Sequence, residues 1–326
     1  MGWLVTGGAG YIGSHVARAL LDADVPVVVI DDLSSGFEHF VPESATFVRG
    51  TLLDRGLIED TLRRFGLRGV IHIAGYKYAG ESVKRPLHTY EQNVTTTINL
   101  LQAMELAGVD RIVFSSSAAT FGTPDVDIVD ETTPTAPQSP YGETKLIGEW
   151  LLRDAERATG LRQTSLRYFN VVGSGSERLF DTSPHNLFPK VFDMLYRGAT
   201  PSINGDDYPT PDGSCVRDYI HVSDLALAHV AAAQRLDDGL AVEPVYNLGS
   251  GAGTSVAEIM NAIRKVTGFD FEPQIMPRRP GDPARIVAAG DLAARDLGWA
   301  MRHSVEDMVA SAWAARQHAG DTYPRS

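Results

Sequence analysis

The chain has one cysteine, Cys215, in 326 residues. That excludes an internal disulfide and fits a reducing, cytoplasmic compartment. No apolar run approaches the ~18 residues that a membrane-crossing helix needs. The N-terminus enters a strand pattern, GWLVT, with no basic segment ahead of a long apolar stretch, so no signal peptide is expected. Positive charge is also short. The net charge of −12 argues against binding the phosphate backbone of a nucleic acid over a broad surface, though not against a local pocket for one phosphorylated ligand. The histidines and the cysteine fall at no metal-ligand spacing, and no metal is expected. There is no fixed-period repeat and no low-complexity tract. Lysine is the scarcest charged residue, with five in the chain. One of them, Lys145, stands four positions after Tyr141 in QSPYGETK.

What is present is an alternation. Strand-like runs at 3–6, 25–30, 45–48, 69–74, 111–116 and 164–169 are separated by helical patterns, among them 89–108 and 141–160. The first runs are near-continuous in Val, Ile and Leu, as in strands covered on both faces. The expected fold class is α/β, with a doubly wound, Rossmann-like parallel sheet. After Asn170 the texture changes to Gly, Pro, Ser, Asp and Asn, then to a strand-like VRDYIHV at 216–222, a helix from Ser223, and VYNLGS at 245–250. Ser255 and Glu258 stand at capping-box spacing and mark a helix start. A last helix is expected over about 304–318. Residues 1–172 are assigned to the sheet domain and 173–326 to a smaller C-terminal α/β substrate domain, with a return to the first domain around 216–250.

TGGAGYIG (6–13) follows the first strand and opens a helix, with Gly7, Gly10 and Gly13 at regular spacing. Backbone without side chains turns tightly and approaches a diphosphate, and the helix N-terminus offers free N–H groups. The second strand ends in Asp31, whose carboxylate suits a ribose diol and repels a 2′-phosphate. No Arg or Lys follows until Arg49. The expected cofactor is therefore NAD rather than NADP; the competing interpretation is a simple structural turn.

YGETK opens a helix, so Tyr141 and Lys145 share one face. A phenol, with a pKa near ~10, is a poor base at neutral pH. A neighbouring ammonium stabilises the phenolate and is expected to lower that value. Tyr141 then becomes an acceptor for the proton of an alcohol that loses hydride. FSSSAATFG ends a strand, and Ser115, Ser116 and Ser117 are all candidates for a hydroxyl that orients the substrate oxygen. Without the glycine turn, an exposed aromatic–cation pair at a helix start would be the better account of Tyr141 and Lys145; with it, the catalytic account is preferred.

With these motifs in order, the chain resembles the extended short-chain dehydrogenase/reductase family, in particular its nucleotide-sugar epimerase branch. TGGAGYIGSH, AGESVKRPL, FSSSA, PQSPYGETK, LRYFNVVG, DDYPTPDGSCVRDYIHVSDLA, YNLGSG and PRRPGD carry the likeness over nearly the whole chain. The resemblance implies NAD-dependent inversion at C4 of a UDP-hexose, between UDP-glucose and UDP-galactose, through a 4-keto sugar. It implies Tyr141 as the base, Ser117 as its hydroxyl partner and Lys145 on the nicotinamide ribose. It places Gly7, Gly10, Tyr11, Ile12, Gly13, Asp31, Asp32, Thr51, Leu52, Ile73, Ala74, Gly75, Lys77, Asn93, Ser115 and Tyr168, with Tyr141 and Lys145, around NAD. It places Lys77, Ser117, Tyr141, Phe169, Asn170, Asn186, Leu187, Arg217, Arg279, Asp282 and Ile286 around the nucleotide-sugar. Two arginines suit a diphosphate; for Arg217 the alternative is an ordinary pair with Asp218. Ile286 is expected to face C2 of the sugar and to limit N-acetylated substrates. A homodimer is implied, built from helices 89–107 and 141–158 through Ile98, Leu101, Met104, Leu146 and Trp150.

Three positions depart from the family pattern. Thr51 replaces an aspartate that helps hold adenine. Phe121 replaces a common tyrosine. Tyr76 and Tyr78 flank Lys77 where small residues are usual. Two other activities remain to be weighed: a nucleotide-sugar 4,6-dehydratase, which needs an Asp-Glu pair where this chain has Ala118 and Ala119, and a non-catalytic NAD-binding sensor.

Overall fold

Burial on both faces decides the architecture. In the computed structural model, which describes residues 1–279 and 282–320, seven parallel strands form the main sheet. They are β1 (Trp3–Thr6), β2 (Val27–Asp31), β3 (Thr46–Arg49), β4 (Gly69–His72), β5 (Arg111–Ser115), β6 (Arg162–Tyr168) and β7 (Val245–Leu248). Their spatial order is 3-2-1-4-5-6-7. Alternate residues serve opposite faces. Val5, Val29, Ile71 and Val113 pack with the helices Tyr11–Asp22 and Val222–Asp237. Leu4, Val28, Val70 and Ile112 pack with the helices Arg55–Arg64, Thr96–Ala107 and Pro140–Thr159. The sheet is doubly wound, and strand order reverses beside β1, between β2 and β4. The crevice beyond the carboxyl ends of these strands is where parallel sheets take ligands.

The chain after Val172 is shared between two cores. The helix Val222–Asp237, β7, Ala293 and Trp299 join the main core. The helices Leu187–Tyr196, Val256–Thr267 and Val305–Ala319 form a second, with Phe188, Phe192, Ile259, Ile263 and Met308. A four-stranded sheet, in order Thr254–Ser255, Val216–Arg217, Arg285–Ala288, Ile128–Val129, lies alongside. The capping box at Ser255 and Glu258 is formed in both directions. Among the described residues, no helix is long and apolar enough to cross a membrane.

Three expectations need correction. VRDYIHV is not one strand: Val216–Arg217 belongs to the four-stranded sheet, whereas Tyr219–His221 pairs with Asn170–Val172. The break falls at Asp218, whose buried carboxylate accepts from Ser250 N and Ala288 N, both at 3.0 Å. The pattern at 89–108 is not one α-helix either. Pro86–Tyr90 and Thr96–Ala107 flank a π-helical turn, Glu91–Thr95, that contains Asn93. Finally, Met104 and Leu146 are buried in the interior of the chain, whereas Ile98, Leu106 and Trp150 are exposed large apolar side chains of the two long helices. In PRRPGD, Pro280 and Gly281 lie outside the described residues.

Candidate active site

The glycine turn sits at the carboxyl end of β1. Gly7 has a φ of +72°, and a Cβ there would lie 2.8 Å from Ala74 N. A Cβ on Gly13 would lie 2.1 Å from the Gly7 carbonyl oxygen. A side chain at either position would collide with backbone, so both are closed to anything but glycine. Gly10 caps the helix Tyr11–Asp22 without a side-chain bond, and the N–H groups of a helix's first turn have no partner within the helix itself. Tyr11 donates from its hydroxyl to Gly173 O at 2.6 Å, and Ile12 is half-buried on the main core. Asp31 accepts from Ala9 N at 3.0 Å and Leu33 N at 2.8 Å. Burial raises its pKa, opposed by those two bonds. The remaining lone pairs of this carboxylate suit hydroxyl donors. A side-chain-free cradle, a helix N-terminus and a carboxylate at the end of β2 fit a dinucleotide such as NAD.

The rest of the expected cofactor set is distributed along the same edge. Ile73 N and Ala74 N donate to Thr6 Oγ1, at 3.1 and 3.2 Å. Gly75 approaches Asn93, where a Cβ would lie 2.9 Å from Oδ1. Asn93 accepts from Tyr76 N at 2.6 Å and donates to Thr144 Oγ1 at 2.9 Å, tying the loop after β4 to the helix Pro140–Thr159. Lys77 is exposed. Asp32 is exposed and accepts from Ser34 N. Thr51 Oγ1 accepts from Leu53 N at 3.2 Å. Leu52 turns its side chain into the core, which leaves only its backbone for a ligand.

The strand end after β5 separates the three serines by alternation. Ser115 Oγ lies 2.7 Å from His229 Nε2, and Ser116 Oγ donates to Glu149 at 2.5 Å. Ser117 is the one that meets the Tyr141 phenol, while its Oγ also accepts from Ala119 N at 3.1 Å. Ser139 caps the helix Pro140–Thr159, with Pro140 in its first turn, which sets Tyr141 at the start. The buried Ser82 accepts from Tyr141 N at 3.1 Å. Lys145 is buried. Its Nζ donates to Ser115 O at 2.8 Å and stands 5.9 Å from the centre of the Tyr141 ring. Burial lowers its pKa to about 8, with Glu149 opposing. Glu149 in turn holds Arg167 through two bonds of 2.8 and 2.6 Å. Tyr168, half-buried, lies beside Ser115 and Tyr141, and its phenol is pushed up mainly by burial.

The Tyr141 pKa is raised, not lowered. Burial is the larger effect and the Ser117 bond only partly offsets it. The ammonium that was expected to lower it is directed at a carbonyl instead.

The expected substrate residues lie on the C-terminal side. Asn170, exposed, donates to Asp218 O at 2.9 Å. Asn186 donates to Asp181 at 2.6 Å at the start of the helix Leu187–Tyr196, and Leu187 packs on the second core. Arg217 pairs with Asp282, not with Asp218. Arg279 is exposed. Ile286 is buried and paired in register with Arg217. By alternation it shares a face with Ala288, which packs with Ala118, Phe121 and Phe169 next to Ser117.

Sequence reasoning missed Ser82, Thr144 and the Glu149–Arg167 pair. Glu149 had a signal, because Tyr141, Lys145 and Glu149 follow one another at four-residue steps. Ser82 had none, being 59 positions from its partner.

The chain is similar to known proteins over nearly its whole length. Residues 3–249 match the NAD dependent epimerase/dehydratase family. A UDP-glucose 4-epimerase of Corynebacterium glutamicum is 42% identical over 325 residues, covering 98% of this chain and 96% of that protein. The crystal structure of the UDP-glucose 4-epimerase of Bifidobacterium longum in complex with NAD+ and UDP superimposes with a TM-score of 0.88, at 37% identity and 97% and 98% coverage of the two chains. The UDP-Glc/GlcNAc 4-epimerase of Campylobacter jejuni gives 0.85, at 36% identity and 97% and 99% coverage.

Proposed function

The chain belongs to the NAD-dependent epimerase/dehydratase family, and from that premise we propose that it inverts C4 of a UDP-hexose, interconverting UDP-glucose and UDP-galactose. The observation that carries this reading is the Tyr141 phenol set between Ser117 and Lys145, at the crevice that also holds the glycine cradle.

When bound along Gly7–Gly13, Asp31 and Ala74, NAD supplies the hydride acceptor and donor for C4 and, when oxidised, a positive ring charge. Tyr141 takes the proton of the 4-hydroxyl as that carbon is oxidised, and returns it once the 4-keto sugar has presented its other face. Ser117 donates to the same sugar oxygen and fixes its distance from the phenol. Lys145, protonated at neutral pH with a pKa of about 8, keeps its ammonium on Ser115 O and holds the nicotinamide ribose. Arg217 and Arg279 bind the diphosphate, Asp282 the uridine ribose, and Lys77, Phe169, Asn170, Asn186 and Leu187 line the sugar and nucleotide. Anchoring the nucleotide while the sugar turns is how one site reaches both faces. Ile286 limits the room at C2.

The division into a sheet domain, 1–172 with its return, and a nucleotide-sugar domain is supported by the two cores. A homodimer is supported by the exposed Ile98, Leu106 and Trp150 on the two long helices, and a cytoplasmic setting by the lone thiol of Cys215. The deciding assay mixes the protein with UDP-galactose and measures UDP-glucose. Conversion is expected, and Tyr141→Phe should lower kcat by at least about a hundredfold. A 4,6-dehydrated product, no turnover, or near-normal turnover by Tyr141→Phe would each overturn the reading.

A further inference from the structure

Tyr76, Lys77 and Tyr78 crowd the loop after β4, and their rings are organised. Tyr76 meets His88 edge-on at 5.1 Å and Tyr78 at 5.4 Å. Tyr78 meets His185 edge-on at 5.3 Å. These separations are those at which ring pairs attract beyond their buried area. Lys77 Nζ stands 5.7 Å from the Tyr78 ring centre, and its charge acts on Asp181. His88, Tyr76 and Tyr78 belong to the sheet side. His185 and Asp181 belong to the segment leading into the helix Leu187–Tyr196 of the second core. Asp181 also accepts from Ser183 N at 3.0 Å and from Asn186 at 2.6 Å, which ties that segment together. The two tyrosines are half-buried, and Lys77 and His185 are exposed. The rings therefore bridge two walls at the surface rather than fill a core.

We propose that the Tyr78–His185 contact is a clasp between these walls, which fixes the 181–187 segment so that Asn186 and Leu187 stay on the nucleotide-sugar while the sugar turns. Tyr78 and His185 are positioning residues, since they act through Asn186 and Leu187. The clasp gives a use to the two tyrosines that the family pattern leaves unexplained. Its substrate side rests on the activity proposed above.

The test compares Tyr78→Ala, His185→Ala, the double variant and Tyr78→Phe with the wild type. Hydrogen exchange of 181–187 without ligand should quicken about 3- to 10-fold in both alanine variants, the range one ring pair supplies. The double variant should be no faster than either single one, and Tyr78→Phe should match the wild type. His185 is exposed, so His185→Ala tests the contact even where Tyr78→Ala fails to fold. The Kd for UDP and the KM for UDP-galactose should rise by the same factor, with kcat within about twofold. Unchanged exchange in a folded alanine variant overturns the clasp. Faster exchange with unchanged UDP affinity overturns the positioning role. A wild type that binds UDP but does not convert UDP-galactose defeats the proposed activity, and the exchange and UDP results still decide the clasp.

Discussion

Replacing Arg167 by Met should be among the most destabilising changes in the molecule. Arg167 and Glu149 are each only 6% exposed in their side chains. The guanidinium makes two bonds to the carboxylate and lies 4.9 Å from the centre of the Phe121 ring. Methionine fills much of the space but leaves Glu149, among the described residues, with Ser116 as its one remaining hydrogen-bond partner. Stranding one member of a buried pair costs about 3–5 kcal/mol, a large part of the roughly 5–15 kcal/mol that holds a domain folded. The urea midpoint, followed by tryptophan fluorescence, should fall accordingly with little change in slope. Glu149→Leu should be comparably harmful. The double variant should recover most of the loss, because an apolar pair carries no desolvation cost. A midpoint for Arg167→Met within ~1 kcal/mol of the wild type, or a double variant worse than both single ones, would refute the reasoning. The pair also reaches the chemistry. Glu149 opposes the fall in the Lys145 pKa, so Glu149→Gln should make the site lose its ammonium at lower pH.

Lys145→Met should abolish turnover yet stabilise the fold at pH 7. Burial lowers the lysine from 10.5 to about 8, a cost of up to ~3 kcal/mol that is full below pH 8 and vanishes above about pH 10.5, so the gain in urea titrations should shrink to nothing across that window. Gly13→Ala places a Cβ against the Gly7 carbonyl and should cost about 1–3 kcal/mol, together with loss of retained NAD on gel filtration. Light scattering at micromolar concentration should give a dimer mass that Trp150→Glu halves, and a monomer from the wild type would contradict the assembly. Ile286 should disfavour N-acetylated UDP-sugars by about 5- to 150-fold in kcat/KM. Equal values for the two substrate pairs, or no gain from Ile286→Ser, would remove it from that role.

The middle of the main sheet was legible because strands such as Trp3–Thr6, Val27–Asp31 and Gly69–His72 are buried on both faces, which writes runs of Val, Ile and Leu into the sequence. The small sheets were not, since strands such as Ile128–Val129 and Val216–Arg217 are two residues long, too short to show a period. The split at Asp218 was hidden for another reason. An aspartate between apolar residues looks like one step of an alternating strand, and only the folded chain brings Ser250 and Ala288 to its carboxylate. The break at Asn93 is similar, because its partners Tyr76 and Thr144 lie 17 and 51 positions away.

In the site, spacing along one helix placed Tyr141 and Lys145 together, but it could not give the sign of the phenol's shift. Two groups in isolation obey charge attraction, and an ammonium then favours a phenolate. Folded, both sit in a region where burial works against either charge. It raises Tyr141 and lowers Lys145. The lysine keeps its proton at neutral pH because Glu149 opposes that fall, and the carbonyl of Ser115 takes its Nζ at 2.8 Å. For the phenol the Ser117 bond offsets burial, and it is the smaller effect. The resting protein therefore holds a neutral tyrosine beside a charged lysine, and the base role proposed for Tyr141 needs further positive charge in the crevice. Glu149, held by Arg167 through two hydrogen bonds, helps Lys145 keep its charge.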